Sequence, residues 1–268
     1  MGIIEKYSIP LDGIEVIRPE VFVYRTPSVT LYRGDAMKIM QDMKAMADLI
    51  VSDVPYELTS GGNGEPAYEG HIRMKGAFDG TKYDNGGNLF EGDIPEWKDF
   101  MPLLYDALTD EAHCYVMANN RNVQAMLNEA EAAGFYFHNL LIWDKRSKTP
   151  NRWYMKSCEF TGFFSKGKSF RINNCSSEML CSMPQVDESD HPTEKPVMLM
   201  RHYIENSTQP GQVVMDPFMG SGSTGVAAIR AGRRFIGIEK DPKWFSVAVQ
   251  RIERAQRMMN EETVEMFS

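Results

Sequence analysis

Two short segments hold residue types that could do chemistry. The first, Asp53-Val54-Pro55-Tyr56, ends the apolar run Leu49-Ile50-Val51-Ser52. A carboxylate accepts hydrogen bonds from an amino group, a proline stiffens the turn, and an aromatic ring stacks on a flat base. The segment suits an exocyclic amine on a planar heterocycle. Alone it is no better than a structural turn, because Asp and Pro are common turn residues. The second segment is Asp216-Pro217-Phe218-Met219-Gly220-Ser221-Gly222-Ser223-Thr224-Gly225. Glycines between a strand and a helix let a ligand approach the backbone closely. The absence of a following lysine argues against a phosphate-binding P-loop. Glu239 stands fourteen residues after Gly225, closing the run Phe235-Ile236-Gly237-Ile238. A carboxylate there can bind ribose hydroxyls, which suits NAD and S-adenosylmethionine equally.

These segments need elements to position them. Apolar periodicity predicts strands at 29–33, 49–52, 113–118, 137–143, 158–164, 212–215 and 235–239, and helices at 36–46, 97–108, 121–133, 195–206, 224–232 and 242–259. Gly134 and Gly232 read as helix stops, and Asp241-Pro242 as a helix start. Alternating strands and helices imply a largely parallel sheet covered on both faces. Both motifs then fall at carboxyl ends of strands, where open α/β sheets bind ligands. Residues 59–92 break the pattern with nine glycines in 34 positions. A loop of that length beside Tyr56 reads as a lid or an insertion.

Of the 268 residues, 43% are hydrophobic and 25% charged, which fits an ordinary globular chain. No apolar run spans a membrane and the N-terminus lacks a signal-peptide pattern, so a cytoplasmic location is the expectation. Cys114, Cys158, Cys175 and Cys181 have no metal-site spacing and read as free thiols, and no metal is expected. The net charge of −8 hides a concentration: residues 145–171 carry eight Lys and Arg against the single acid Glu159. Lys145, Arg146, Lys148, Arg152 and Lys156 are the candidate nucleic-acid contacts, with Trp153, Tyr154 and Phe160 among them.

Together the motifs resemble the amino-group DNA methyltransferases that use S-adenosylmethionine, in the permuted group whose catalytic motif precedes the cofactor loop. Asp53-Val54-Pro55-Tyr56 is similar to that family's Asp-Pro-Pro-Tyr with one departure, Val54. Asp216 to Gly225 is similar to its cofactor loop. His191-Pro192-Thr193-Glu194-Lys195-Pro196 resembles the segment lining the methionine end of the cofactor, and Leu31-Tyr32-Arg33-Gly34-Asp35 the segment whose acid reaches the adenine. Leu141 to Lys145 and Glu159-Phe160 also fall where the family has similar residues.

The resemblance covers roughly residues 29–255. It implies one Rossmann-like domain over 1–268, a seven-stranded sheet with one antiparallel strand, and a short candidate target-recognition segment at 165–190. It implies Asp53, Val54, Pro55 and Tyr56 as catalytic residues. Asp35, Thr193, Lys195, Asp216, Phe218, Gly220, Gly222, Thr224 and Glu239 would be cofactor residues. DNA is the implied partner, and related enzymes are often homodimers. Asp at position 53 favours adenine N6, since the family's cytosine N4 enzymes more often carry Ser there. No cysteine follows a proline, which sets aside cytosine C5 chemistry. Cytosine N4 transfer, an RNA substrate, another nucleotide-dependent enzyme and a catalytically weakened nucleic-acid binder stay open as alternatives.

Overall fold

The computed structural model describes residues 14–18, 21–55, 94–149, 154, 156–185 and 194–267. They form β1 (Ile14–Arg18), β2 (Val21–Thr26), β3 (Val29–Arg33), α1 (Ala36–Ile39), β4 (Ala47–Asp53), α2 (Trp97–Ala107), β5 (Leu108–Ala118), α3 (Val123–Ala132), β6 (Tyr136–Thr149), β7 (Lys156–Lys166), β8 (Leu180–Ser182), α4 (Val197–Ser207), β9 (Val213–Asp216), α5 (Ser223–Arg230), β10 (Arg234–Glu239) and α6 (Pro242–Phe267). All strands join one sheet in the order β1-β2-β3-β10-β9-β4-β5-β7-β6-β8. The middle of it, β3 through β5, is parallel. β7 runs antiparallel between β5 and β6.

β4 shows why the sheet needs cover on both sides. Its residues 47 and 49–52 are buried, and alternate side chains enter different cores. Leu49 and Val51 pack with α4, α5 and α6 through Leu199, Val226 and Phe245. Ile50 packs with α1, α2 and α3 through Ile39, Phe100 and Met126. Val54 continues into this second core and is only 1% exposed.

The sheet has ten strands rather than the expected seven. The seven predicted strands are its middle, and β1, β2 and β8 are additions at the edges. β1 and β2 carry no clean alternation, and β8 has three residues, too few for any period. The predicted helix 36–46 is also corrected. It stops at Ile39, tightens into a 3-10 turn over Met40–Asp42, and reaches Ala45 with φ +48°. The N–H groups of Ala45 and Met46 bond instead to the carbonyls of Asp106 and Ala107 at the end of α2, at 2.9 and 2.8 Å. Gly134 and Gly232 adopt φ +99° and +73° just beyond α3 and α5, as a helix stop requires. Asp241 caps α6 by accepting the N–H groups of Lys243 and Trp244 at 2.7 and 3.0 Å.

Candidate active site

Four adjacent strands each deliver an acid to one edge of the sheet. Asp35 lies just beyond β3, Glu239 ends β10, Asp216 ends β9 and Asp53 ends β4. β9 leads into α5 on one face and β4 is followed by α2 on the other, so a crevice opens at this edge. A cavity of about 560 Å³ occupies it, running from Asp35, Glu239 and Trp244 past Gly220 and Ser221 to Asp53, Pro55 and Lys195. Its described lining contains six acids (Asp35, Asp53, Glu194, Asp216, Glu239, Asp241) against Lys195 and Lys240. A lining with so few cations, both of them near carboxylates, does not suit a pyrophosphate.

The glycine loop is held from three sides. Ser52 Oγ and the N–H of Phe218 donate to Asp216 Oδ1 at 2.8 and 3.1 Å, and Thr224 Oγ1 donates to Oδ2 at 2.7 Å. Asp216 and Thr224 therefore shape the loop. Burial still pushes the Asp216 carboxyl up to about 6. Gly222 has φ +84°, and a Cβ there would stand 3.1 Å from the Cα of Ala248 on α6. From α6, Arg251 Nη1 donates to the carbonyl and hydroxyl of Ser221, both at 2.9 Å. Its Nη2 pairs with Glu194 Oε1 at 2.5 Å. Glu239 accepts the N–H of Gly220 at 3.0 Å and of Asp241 at 2.7 Å. Burial pushes the Glu239 carboxyl up to about 7.

At the other end, Lys195 Nζ bonds Asp53 Oδ2 and stands 3.4 Å from Glu159 Oε2. Lys145 bonds Glu159 Oε1. Among the described residues, Asp53 Oδ1 and Glu159 Oε2 are buried without a hydrogen-bond partner, so Glu159 Oε2 meets Lys195 as an ion pair only. Burial and the charge of Glu159 raise the Asp53 pKa, against the pull of Lys195 and Lys145. At Glu159 burial is outweighed by Lys195 and Lys145, and its pKa is lowered. A buried carboxylate oxygen with an unused acceptor site, on a residue that lines the cavity, is a candidate acceptor for an amino-group substrate.

The structure brings Asp53, Pro55, Asp35, Lys195, Asp216, Phe218, Gly220, Thr224 and Glu239 to one cavity. Gly222 stands behind it, against α6. Tyr56, Arg152, Thr193 and the 59–92 segment lie outside the described residues. Lys195 does not serve the methionine end alone, because it is bonded to Asp53. Lys145 bonds Glu159 and its side chain is 27% exposed. Arg146 and Lys148 remain exposed on β6, and Lys156 is half-buried at the start of β7.

Of the candidate recognition segment 165–190, the part described is 165–185. Within it β8 pairs with β6, and Asn173 bonds the backbone of Asn206 and Thr208 at 2.8 and 2.9 Å. Site residues not expected from the sequence are Ser52, Trp244 and Arg251, and Glu159 gains a role. Ser52 and Glu159 left a trace, the first as a hydroxyl inside an apolar run and the second as the single acid in a basic stretch.

Among known proteins, residues 47–250 match the DNA methylase family of N6 and N4 enzymes. The chain is 26% identical over 262 residues to the type II methyltransferase M2.DpnII of Streptococcus pneumoniae, covering 90% of this chain and 94% of that one. It superposes on the M1.HpyAVI–SAM complex with a TM-score of 0.62 and 23% identity, covering 83% of this chain and 99% of the other. It superposes on the cytosine-N4-specific PvuII DNA methyltransferase with a TM-score of 0.64 and 18% identity, covering 88% and 93%. With its acids at the carboxyl edge of the sheet and three quarters of its length inside the family match, the chain belongs to the DNA methylase family.

Proposed function

We propose that this chain transfers a methyl group from S-adenosylmethionine to the exocyclic N6 of adenine in DNA. The observation that carries this reading is the unpartnered Oδ1 of Asp53 at one end of an acid-lined cavity whose other end holds Glu239. The donor set suits the cofactor: Glu239 for ribose hydroxyls, the Gly220–Ser221 backbone for close approach, and an excess of carboxylates for a cationic ligand. When bound, S-adenosylmethionine supplies an electrophilic methyl group on a positively charged sulfur.

The chain's own work is to present the amine. The adenine amine is a poor nucleophile because its lone pair is delocalised into the ring. Asp53 Oδ1 accepts one N–H, and the backbone carbonyl of residue 54 is proposed to accept the other. Together they favour a more tetrahedral nitrogen whose lone pair points at the methyl carbon. They would hold the nitrogen for the methyl group that bound S-adenosylmethionine would supply, with the neutral thioether as leaving group and the surplus proton passing to solvent water. Positioning and fixed charges supply the rate. A duplex base must first leave the stack, at a cost of a few kcal/mol. Tyr56 is proposed to stack on it.

The departure at Val54 leaves the carbonyl in place, and its side chain is anchored in the α1–α2 core. That packing offsets part of the stiffness lost with proline. Asp53 supports adenine over cytosine, and the basic residues Arg146, Lys148, Arg152 and Lys156 of the sequence support a DNA backbone as partner. The proposal places one domain, 1–268, in the cytoplasm, with a second copy of the chain as a candidate partner. No described helix is long and apolar enough to cross a membrane.

The test is plasmid from a methylation-free host expressing the chain. N6-methyladenine in its nucleosides is the expected result. N4-methylcytosine alone replaces the proposed base, and no modification overturns the proposal.

Glu239 gives the pH dependence. Its folded pKa of about 7 lies above that of an exposed carboxyl, so its favourable contribution to the free protein is lost as pH rises through 7. Ribose hydroxyls need the ionised form. Cofactor affinity measured by calorimetry should fall as pH drops below about 7, by up to about tenfold per unit. Glu239→Gln should bind more weakly and lose that slope.

A further inference from the structure

We propose that Glu159 is a positioning residue for methyl transfer, holding Lys195 so that Lys195 occupies one oxygen of Asp53 and leaves the other for the substrate amine. This rests on the reading of Asp53 as the amine acceptor. Glu159 does not line the cavity, whereas Asp53 and Lys195 do, so it reaches the substrate only through them. The sheet register puts it in place. Asp53 pairs with Met117, Met117 pairs with Thr161, and Glu159 lies two residues further along β7 on the same face. Because β7 is antiparallel, that step carries Glu159 toward the edge where β4 ends.

The four charged groups alternate inward from β6: Lys145, Glu159, Lys195, Asp53. A buried ammonium is tolerated when carboxylates face it, and two of them limit its rotamers more than one. With Nζ bonded to Oδ2, the carboxylate of Asp53 is pinned, and Oδ1, buried and without a hydrogen-bond partner among the described residues, is the oxygen that remains for the amine.

The groups facing Asp53 are Lys195 from the segment before α4, Glu159 from β7, Lys145 from β6 and Asp216 from β9. Glu159 pushes the Asp53 pKa up and Lys195 pulls it down. The two substitutions should therefore act in opposite directions. In protein labelled with ¹³C at aspartate carboxyls, the Asp53 signal is the one missing from Asp53→Asn. Its titration midpoint should fall in Glu159→Gln and rise in Lys195→Met.

On DNA, Glu159→Gln should lower kcat on the order of a hundredfold while the calorimetric Kd for S-adenosylmethionine stays unchanged. If Lys195→Met does not fold, the isosteric Glu159→Gln variant still decides. An unmoved midpoint with wild-type kcat overturns the proposal. Parallel loss of cofactor binding and kcat also overturns it, since that is a damaged fold. Midpoints that move as stated in a wild-type protein that transfers no methyl group overturn the proposed function and support the coupling.

Discussion

Asp53→Ala should lose methyl transfer and keep its cofactor. The expected drop in kcat is on the order of 10³-fold, the scale of removing one preorganised polar group from a transition state. Affinity for S-adenosylmethionine should stay near wild type, because the loop and Glu239 are held by contacts that do not include the Asp53 side chain: Ser52, Phe218 and Thr224 on Asp216, Arg251 on Ser221, and Gly220 on Glu239. Lys195 keeps Glu159 as a facing carboxylate in the variant, which limits the structural damage. Tritiated methyl incorporation into DNA gives the rate, and calorimetry gives the binding. An active Asp53→Ala variant would sink the assignment of Asp53 as acceptor. A variant that loses binding and rate together would mean Asp53 organises the cavity rather than the amine.

That separation explains which parts of the site were legible in the sequence. Asp53, Asp216 and Glu239 were readable because each ends an apolar strand, and strand ends in a parallel sheet share an edge. The glycines were readable because positive φ and close packing demand them, as at Gly222 against Ala248. The contacts of Glu159 and Arg251 were not. Their roles depend on strand register and helix rotation across 106 and 30 residues of separation from Asp53 and Ser221, which no local period encodes. The partner of Lys145 was hidden for the same reason. As text the lysine belongs to a basic run, but its partner comes from the neighbouring strand. The edge strands β1, β2 and β8 escaped because pairing with a neighbour, rather than their own apolar pattern, makes them strands.

Arg251→Met should unfold the protein at a markedly lower temperature and weaken the cofactor site. Arg251 and Glu194 form a pair whose side chains are 15% and 1% exposed. Removing the cation leaves Glu194 facing Ser223 Oγ at 3.3 Å without the guanidinium. Breaking such a buried pair costs about 3–5 kcal/mol, which for a chain of this length lowers Tm on the order of 10 °C. The same substitution releases the carbonyl and hydroxyl of Ser221, the residue between the two glycines with left-handed backbones at φ +51° and +84°. Cofactor affinity should therefore fall further than the stability loss alone explains. Thermal unfolding with and without saturating S-adenosylmethionine separates the effects. A variant whose Tm falls but whose cofactor-induced rise in Tm stays at the wild-type value shows that α6 stabilises the fold without shaping the loop. The double variant Glu194→Gln with Arg251→Met decides the energetic part. Recovery of most of the lost stability means the penalty was a buried charge, and no recovery means it was the lost grip on Ser221.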